Sequence, residues 1–148
     1  MIIEIDTSSR LDKSGDTVFG FSNRIQKTVL LKQTTRDECL SKLKGRKLSK
    51  ELRIFTACIY LLIEDHLNKI TKVRIDQEYP MHEGEVKRYL TNLIATHNPD
   101  VQFKEQSIEI TSVGKKSRAH EVAWRTFRKQ RQVDKILNTE SILNLLIK

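Results

Sequence analysis

Over the first 32 positions the apolar residues come in short, β-branched runs; beyond them they recur at helical spacing. Ile2–Asp6 reads as a strand, and the Ser-Gly-Asp within Leu11–Thr17 reads as a turn. Val18–Asn23 and Ile25–Lys32 read as two more strands, so the chain opens with an antiparallel meander. Thr34 or Thr35 caps a helical stretch from about Arg36 that Gly45 interrupts. Ser49 then caps a stronger helix, Lys50–Asn68, whose inward face carries Leu52, Phe55, Ile59 and Leu62 together with Glu51. Lys72–Gln77 is a fourth strand. Pro80 and the acidic residues after it open a helix over Glu83–Thr96, striped by Val86, Leu90, Leu93 and Ile94. Asn98-Pro99-Asp100 is a loop, and Val101–Ile110 holds strand pattern that is firmest over Ser107–Ile110. Ser117 caps a helix reaching about Arg131, and a short helix covers Thr139–Ile147.

This order predicts one α/β domain over residues 1–148: a mixed five-stranded sheet, three antiparallel strands followed by α-β-α-β-α, with helices on both faces. A helical connection separates the first and fourth strands, so they are expected to run parallel. Their C-terminal ends then lie side by side, where open sheets of this kind gather ligands.

Composition narrows the class. The chain has 148 residues, 38% of them hydrophobic, enough for one core. Its net charge of +8 favours a polyanionic partner, nucleic acid first. Cys39 and Cys58 are too few for a disulfide framework or a zinc site, and Cys58 falls in an apolar helical run as a small core residue. The longest apolar stretch, Ile54–Ile63, falls short of the roughly 20 residues a bilayer requires. With no secretory leader at the N-terminus, a cytoplasmic location and no membrane partner are expected.

Against this basic background the acidic residues at strand ends stand out. Asp6 ends the first strand and Asp76 lies late in the fourth; on neighbouring strands their carboxylates fall within several ångströms. Two like charges so placed call for a cation between them, although strand-end aspartates also serve as ordinary turn and cap residues. Glu51 points toward the sheet, where a charge has to be paired, neutralised or metal-bound. A first-turn glutamate favoured by the helix dipole is the other reading. Glu64, near the end of the same helix, reads as solvated.

Four segments in order resemble the ribonuclease H-like superfamily. IEIDTSS ahead of a hairpin resembles its metal-binding first strand, and VRIDQEY resembles the strand that ends Asp-Ser-Gln-Tyr. Ser49-Lys50-Glu51-Leu52 resembles the helix with the Glu-Leu-x-Ala pattern, with Ile54 in the place of its alanine. AHEVAW resembles the Ala-Asp-Glu-Leu-Ala that opens the last helix. The resemblance implies a metal-dependent nuclease with Asp6, Glu51 and Asp76 as catalytic metal ligands for Mg²⁺ or Mn²⁺, in a two-metal arrangement. His120 stands where the family has an aspartate; it is carried over as the fourth catalytic and metal residue, with Glu121 as the adjacent alternative. Lys115, Lys116, Arg118 and Arg125, around the start of that helix, are the candidate phosphate contacts. Tyr79 and Trp124 are the candidates for base stacking, Trp124 reading first as core. The substrate is an RNA/DNA hybrid or structured DNA; the alternative is a nucleic-acid-binding module of the same fold without catalysis.

Overall fold

The computed structural model describes residues 1–112 and 117–147. Strands β1 (Ile2–Thr7), β2 (Thr17–Ser22) and β3 (Gln26–Leu31) form the expected meander. Helices α1 (Gln33–Lys42) and α2 (Lys47–Ile63) follow, parted at Gly45, whose φ of 119° is available to glycine without steric cost. Then come β4 (Lys72–Asp76), α3 (Glu83–His97), β5 (Ile108–Thr111), α4 (Arg118–Phe127), β6 (Lys135–Ile136) and α5 (Thr139–Ile147).

Among the described residues the sheet has six strands in the order β5-β4-β1-β2-β3-β6. β1 and β4 are parallel neighbours, in register from Ile2 beside Lys72 to Ile5 beside Ile75. The expected count of five is corrected by β6, which pairs parallel to the outer edge of β3. Two residues are too few to show a period in sequence, and this strand exists because tertiary bonds place it. Asp134 Oδ2 accepts from the Thr28 N–H at 2.8 Å, and the Leu137 N–H donates to the Leu30 carbonyl at 2.9 Å. The same turn stops α4 at Phe127 rather than Arg131, with Lys129 in the left-handed region at φ 62°. Val101–Lys104 forms no strand.

Strand alternation sorts the sheet into two faces. Ile3, Ile5, Phe19, Phe21, Val29 and Leu31 are buried on one of them, against α2 through Leu52, Phe55, Ile59 and Leu62. More of α2 is buried than one stripe accounts for, because α1, α3 and α5 flank it; Ile54, Ala57, Tyr60, Leu61 and Ile63 pack there. The apolar C-terminal segment therefore docks on its own domain through Ile142. Cys39 and Cys58 are both free and buried.

The opposite face is covered by α4. Gly20 on β2 lets it approach: a Cβ there would lie 3.3 Å from the Ala123 nitrogen and 3.5 Å from the Ala119 carbonyl oxygen. Ala119, Val122 and Ala123 form the buried seam. Gly20 is the register partner of Asp6, so the close approach of α4 brings it over the acidic end of β1.

Candidate metal centre

The site begins with the register of β1 and β4. One step beyond the Ile5–Ile75 pair, Asp6 and Asp76 leave the sheet on the α4 face. Two residues past the strand, Glu78 folds back and accepts a hydrogen bond from the Thr7 hydroxyl at 2.8 Å. One ligand oxygen from each of Asp6, Asp76 and Glu78 lies within 4.8 Å of the other two. These three could hold a metal ion through the hard oxygen donors that divalent cations such as Mg²⁺ and Mn²⁺ take. They line an open cleft of about 340 Å³ together with Ser8, His120 and Trp124.

His120 enters from α4. Ser117 caps that helix as expected, its hydroxyl accepting the His120 N–H at 3.0 Å. The cap fixes the first turn, and His120 Nδ1 then lies 2.7 Å from Asp6 Oδ2. The other Asp6 oxygen accepts the Thr7 N–H at 2.8 Å.

Crowding shows in the acidities. Asp6, 4% exposed, has its pKa raised to about 6, first by burial and then by the Asp76 charge; the Thr7 N–H and His120 pull the other way. Glu78 is raised to about 7, by burial first and then by the Asp76 and Asp6 charges, against the pull of the Thr7 hydroxyl. A hydrogen bond between Glu78 and Asp76 also favours the protonated Glu78. A bound cation would relieve the same repulsion.

The structure brings Asp6, Asp76 and His120 together as expected but places Glu51 outside the acidic group. Glu51 is buried just past the first turn of α2, 6% exposed, and accepts a hydrogen bond from the Tyr79 hydroxyl at 3.0 Å. Burial and this carboxylate push the Tyr79 hydroxyl well up from its ordinary pKa. Tyr79 packs edge-on against Phe55, 5.0 Å between ring centroids, with the Arg10 guanidinium over its ring. It is buried and offers no face for stacking, contrary to expectation. Glu64 is partly buried with Lys135 at 3.8 Å.

Sequence reasoning missed Glu78. Its only signal was position: a carboxylate two residues beyond Asp76, on the loop leaving the same strand. Trp124 is only partly buried and lines the cleft, its ring 5.9 Å from that of His120. Among the candidate phosphate contacts, Arg118 is exposed in a shallow hollow with Arg74 and Glu4. Arg125 is exposed with Glu121 at 3.6 Å. Lys115 and Lys116 lie outside the described residues. No helix among the described residues is long and apolar enough to cross a membrane. Comparison of the chain with protein-family models, with curated proteins and with solved structures gives no match.

Proposed function

We propose that this chain is a divalent-metal-dependent nuclease of the ribonuclease H-like kind. The observation that carries the reading is the meeting of Asp6, Asp76 and Glu78 at the paired ends of β1 and β4, with His120 hydrogen-bonded to Asp6. Asp6 and Asp76 act as metal ligands, and Glu78 supplies the third carboxylate in place of Glu51. Held there, Mg²⁺ or Mn²⁺ would supply an activated water and charge neutralisation at the leaving oxygen. His120 orients Asp6 through Nδ1, which leaves Nε2 to carry a proton to or from the substrate. Arg74, Arg118 and Arg125 on the same face of the sheet attract the phosphate backbone of a hybrid or structured DNA.

Labelled hybrid, duplex, four-way junction and single strands, incubated with Mg²⁺ or Mn²⁺, test the reading. Wild-type protein is expected to cleave at least one of them, and Asp76→Asn to reduce that cleavage to background. A second reading, a binding module without catalysis, is favoured by His120 in the place of the family's aspartate and by the bond that ties Glu51 to Tyr79. Salt-sensitive binding with no cleavage of any substrate would leave only that one.

A further inference from the structure

Beyond the acidic cleft, α4 carries a ladder of aromatic rings. His120 and Trp124 have centroids 5.9 Å apart, Trp124 and Phe127 5.7 Å, and the Arg128 guanidinium sits 5.2 Å over the Trp124 ring. Phe127 is 42% exposed although large and apolar. It walls a second cavity, of about 440 Å³, lined by Val18 and Leu30 and by the charged residues Lys129, Arg131 and Asp16. Val18 and Leu30 are register partners on the face that α4 covers, so cavity and cleft open on the same side of the sheet. At about 1.5 Å per helical residue, His120 and Phe127 are about 10 Å apart along α4. That is roughly the rise of three stacked nucleotides.

The cavity is held open by structure that is already ordered. Arg131 Nη1 donates to the Thr28 hydroxyl at 2.9 Å and lies 3.2 Å from Asp134, which itself anchors the turn to β3. From Ser117 to Asp134 the chain carries five basic side chains, Arg118, Arg125, Arg128, Lys129 and Arg131, against Glu121 and Asp134, and Asp16 is the one acidic residue that lines the cavity. An apolar peptide would suit the apolar lining but not these cations. An acidic peptide would suit the cations but leave the rings and apolar lining unused. A nucleic-acid strand with unpaired bases suits both, since each unit has a flat apolar face and a phosphate. The volume is in the range of small-ligand sites and accommodates one base.

We propose that the α4 ladder and this cavity bind an unpaired, single-stranded segment of nucleic acid. Bases stack on Trp124 and Phe127, one base enters the cavity, and the phosphates lie along Arg125, Arg128 and Lys129. Base faces inside a continuous duplex are covered by their neighbours, so this surface selects strands with unpaired nucleotides. As the substrate class of the acidic cleft it rests on the nuclease reading; as a binding surface it does not.

Trp124 is the only tryptophan of the chain and reports on the ladder directly. The full chain is titrated with oligothymidylate at low salt in EDTA, which stops metal-dependent cleavage, and indole emission is followed. Quenching is expected, with a matched duplex competing at clearly lower affinity. Phe127→Ala should weaken binding roughly 5- to 150-fold, the range for losing one stacked base, and Phe127→Tyr should restore it. Lys129→Gln should lower the slope of log affinity against log salt by about 0.7. Phe127 is exposed, and an unchanged thermal midpoint for Phe127→Ala separates lost stacking from lost fold. Equal affinities of Phe127→Ala and wild type, equal competition by duplex, or no binding of oligothymidylate would each overturn the proposal. Cleavage that persists with unchanged Phe127→Ala binding sinks this proposal alone. Phe127-dependent binding with no cleavage of any substrate sinks the nuclease reading alone.

Discussion

Glu51 and Glu78 are both withdrawn from water to some degree, yet their neighbours assign them different work. Glu78 lies against Asp6 and Asp76 and is held there by the Thr7 hydroxyl; Glu51 is bonded to a buried tyrosine. Removing a charge from the first group removes a metal ligand, whereas removing it from the second leaves a neutral acceptor able to keep the Tyr79 bond. Glu78→Gln is therefore expected to weaken Mn²⁺ binding at least about tenfold by calorimetric titration, given that loss of even outer-shell partners costs that much. Glu51→Gln should leave Mn²⁺ affinity essentially unchanged. Glu51→Ala, by orphaning the buried Tyr79 hydroxyl, should cost about 1–3 kcal/mol in urea unfolding. The reverse pattern, with Mn²⁺ affinity lost in Glu51→Gln and kept in Glu78→Gln, would return the metal role to Glu51. Asp6 and Asp76 were legible in sequence because short β-branched runs fix where strands end. Glu51 was rightly read as facing inward, but helical period gives a direction and not the partner met there. Glu78 follows its strand in a loop, where no period fixes the direction of a side chain.

At the scale of elements, α4 is the part on which cleft and ladder both depend, and Gly20 sets its distance from the sheet. A side chain at position 20 would press on the backbone of Ala119 and Ala123, and backbone cannot rotate out of the way as a flexible side chain does. Gly20→Val is expected to cost about 1–3 kcal/mol in urea unfolding, as overpacking of a tight interface does. It should also reduce any metal-dependent cleavage, because α4 carries His120 against Asp6. Valine has the higher strand propensity, so a stability equal to or above wild type would show that the approach is not limiting. The first four strands, α3, the Ser117 cap and the C-terminal helix could be read from period and capping residues, as could the parallel pairing of β1 and β4. Gly20 gave a weaker signal, a glycine inside a strand where a backbone comes close. The starts of α1 and α2 were not legible, since neither has a side-chain cap of its own. α1 instead has its Gln33 N–H bound by Asp16 from the preceding turn, at 2.8 Å. β6 and the early end of α4 depend on the Asp134–Thr28 contact across more than a hundred residues of chain, which no local pattern encodes.

For the whole molecule, a basic chain concentrates acidic repulsion at one point, and stability should register it as a function of pH. Asp6 and Glu78 have folded pKa values of about 6 and about 7, above their ordinary values of 3.8 and 4.5. Raised carboxylates mean that the folded state holds protons the unfolded state has already released. Stability contributed by the neutral forms is complete below about pH 4 and is lost as pH rises through about 7. Glu38, Asp65, Glu83 and Glu109 are lowered, by Lys42, by Lys27, by backbone and Gln77 hydrogen bonds, and by Lys72 respectively, and they lose stability in the opposite direction, on acidification. Those four are solvent-screened surface groups, so the buried pair should dominate above pH 5. In EDTA the thermal midpoint is expected to fall by on the order of 5 °C between pH 5 and pH 7.5, for a chain in which about 1 kcal/mol moves it by 2–4 °C. Mn²⁺ should reverse that fall, with a shift that grows with pH as protons leave the ligands and the ion replaces them. Asp76→Asn removes one of the repelling charges, and so should flatten the EDTA profile, raise the midpoint at pH 7.5 and abolish the Mn²⁺ shift. A metal-free midpoint that is flat or rises from pH 5 to 7.5 would mean that burial and mutual repulsion do not raise Asp6 and Glu78 in the folded protein. The same burial and crowding that destabilise the metal-free cleft favour a cation in it, so one set of melting curves measures both.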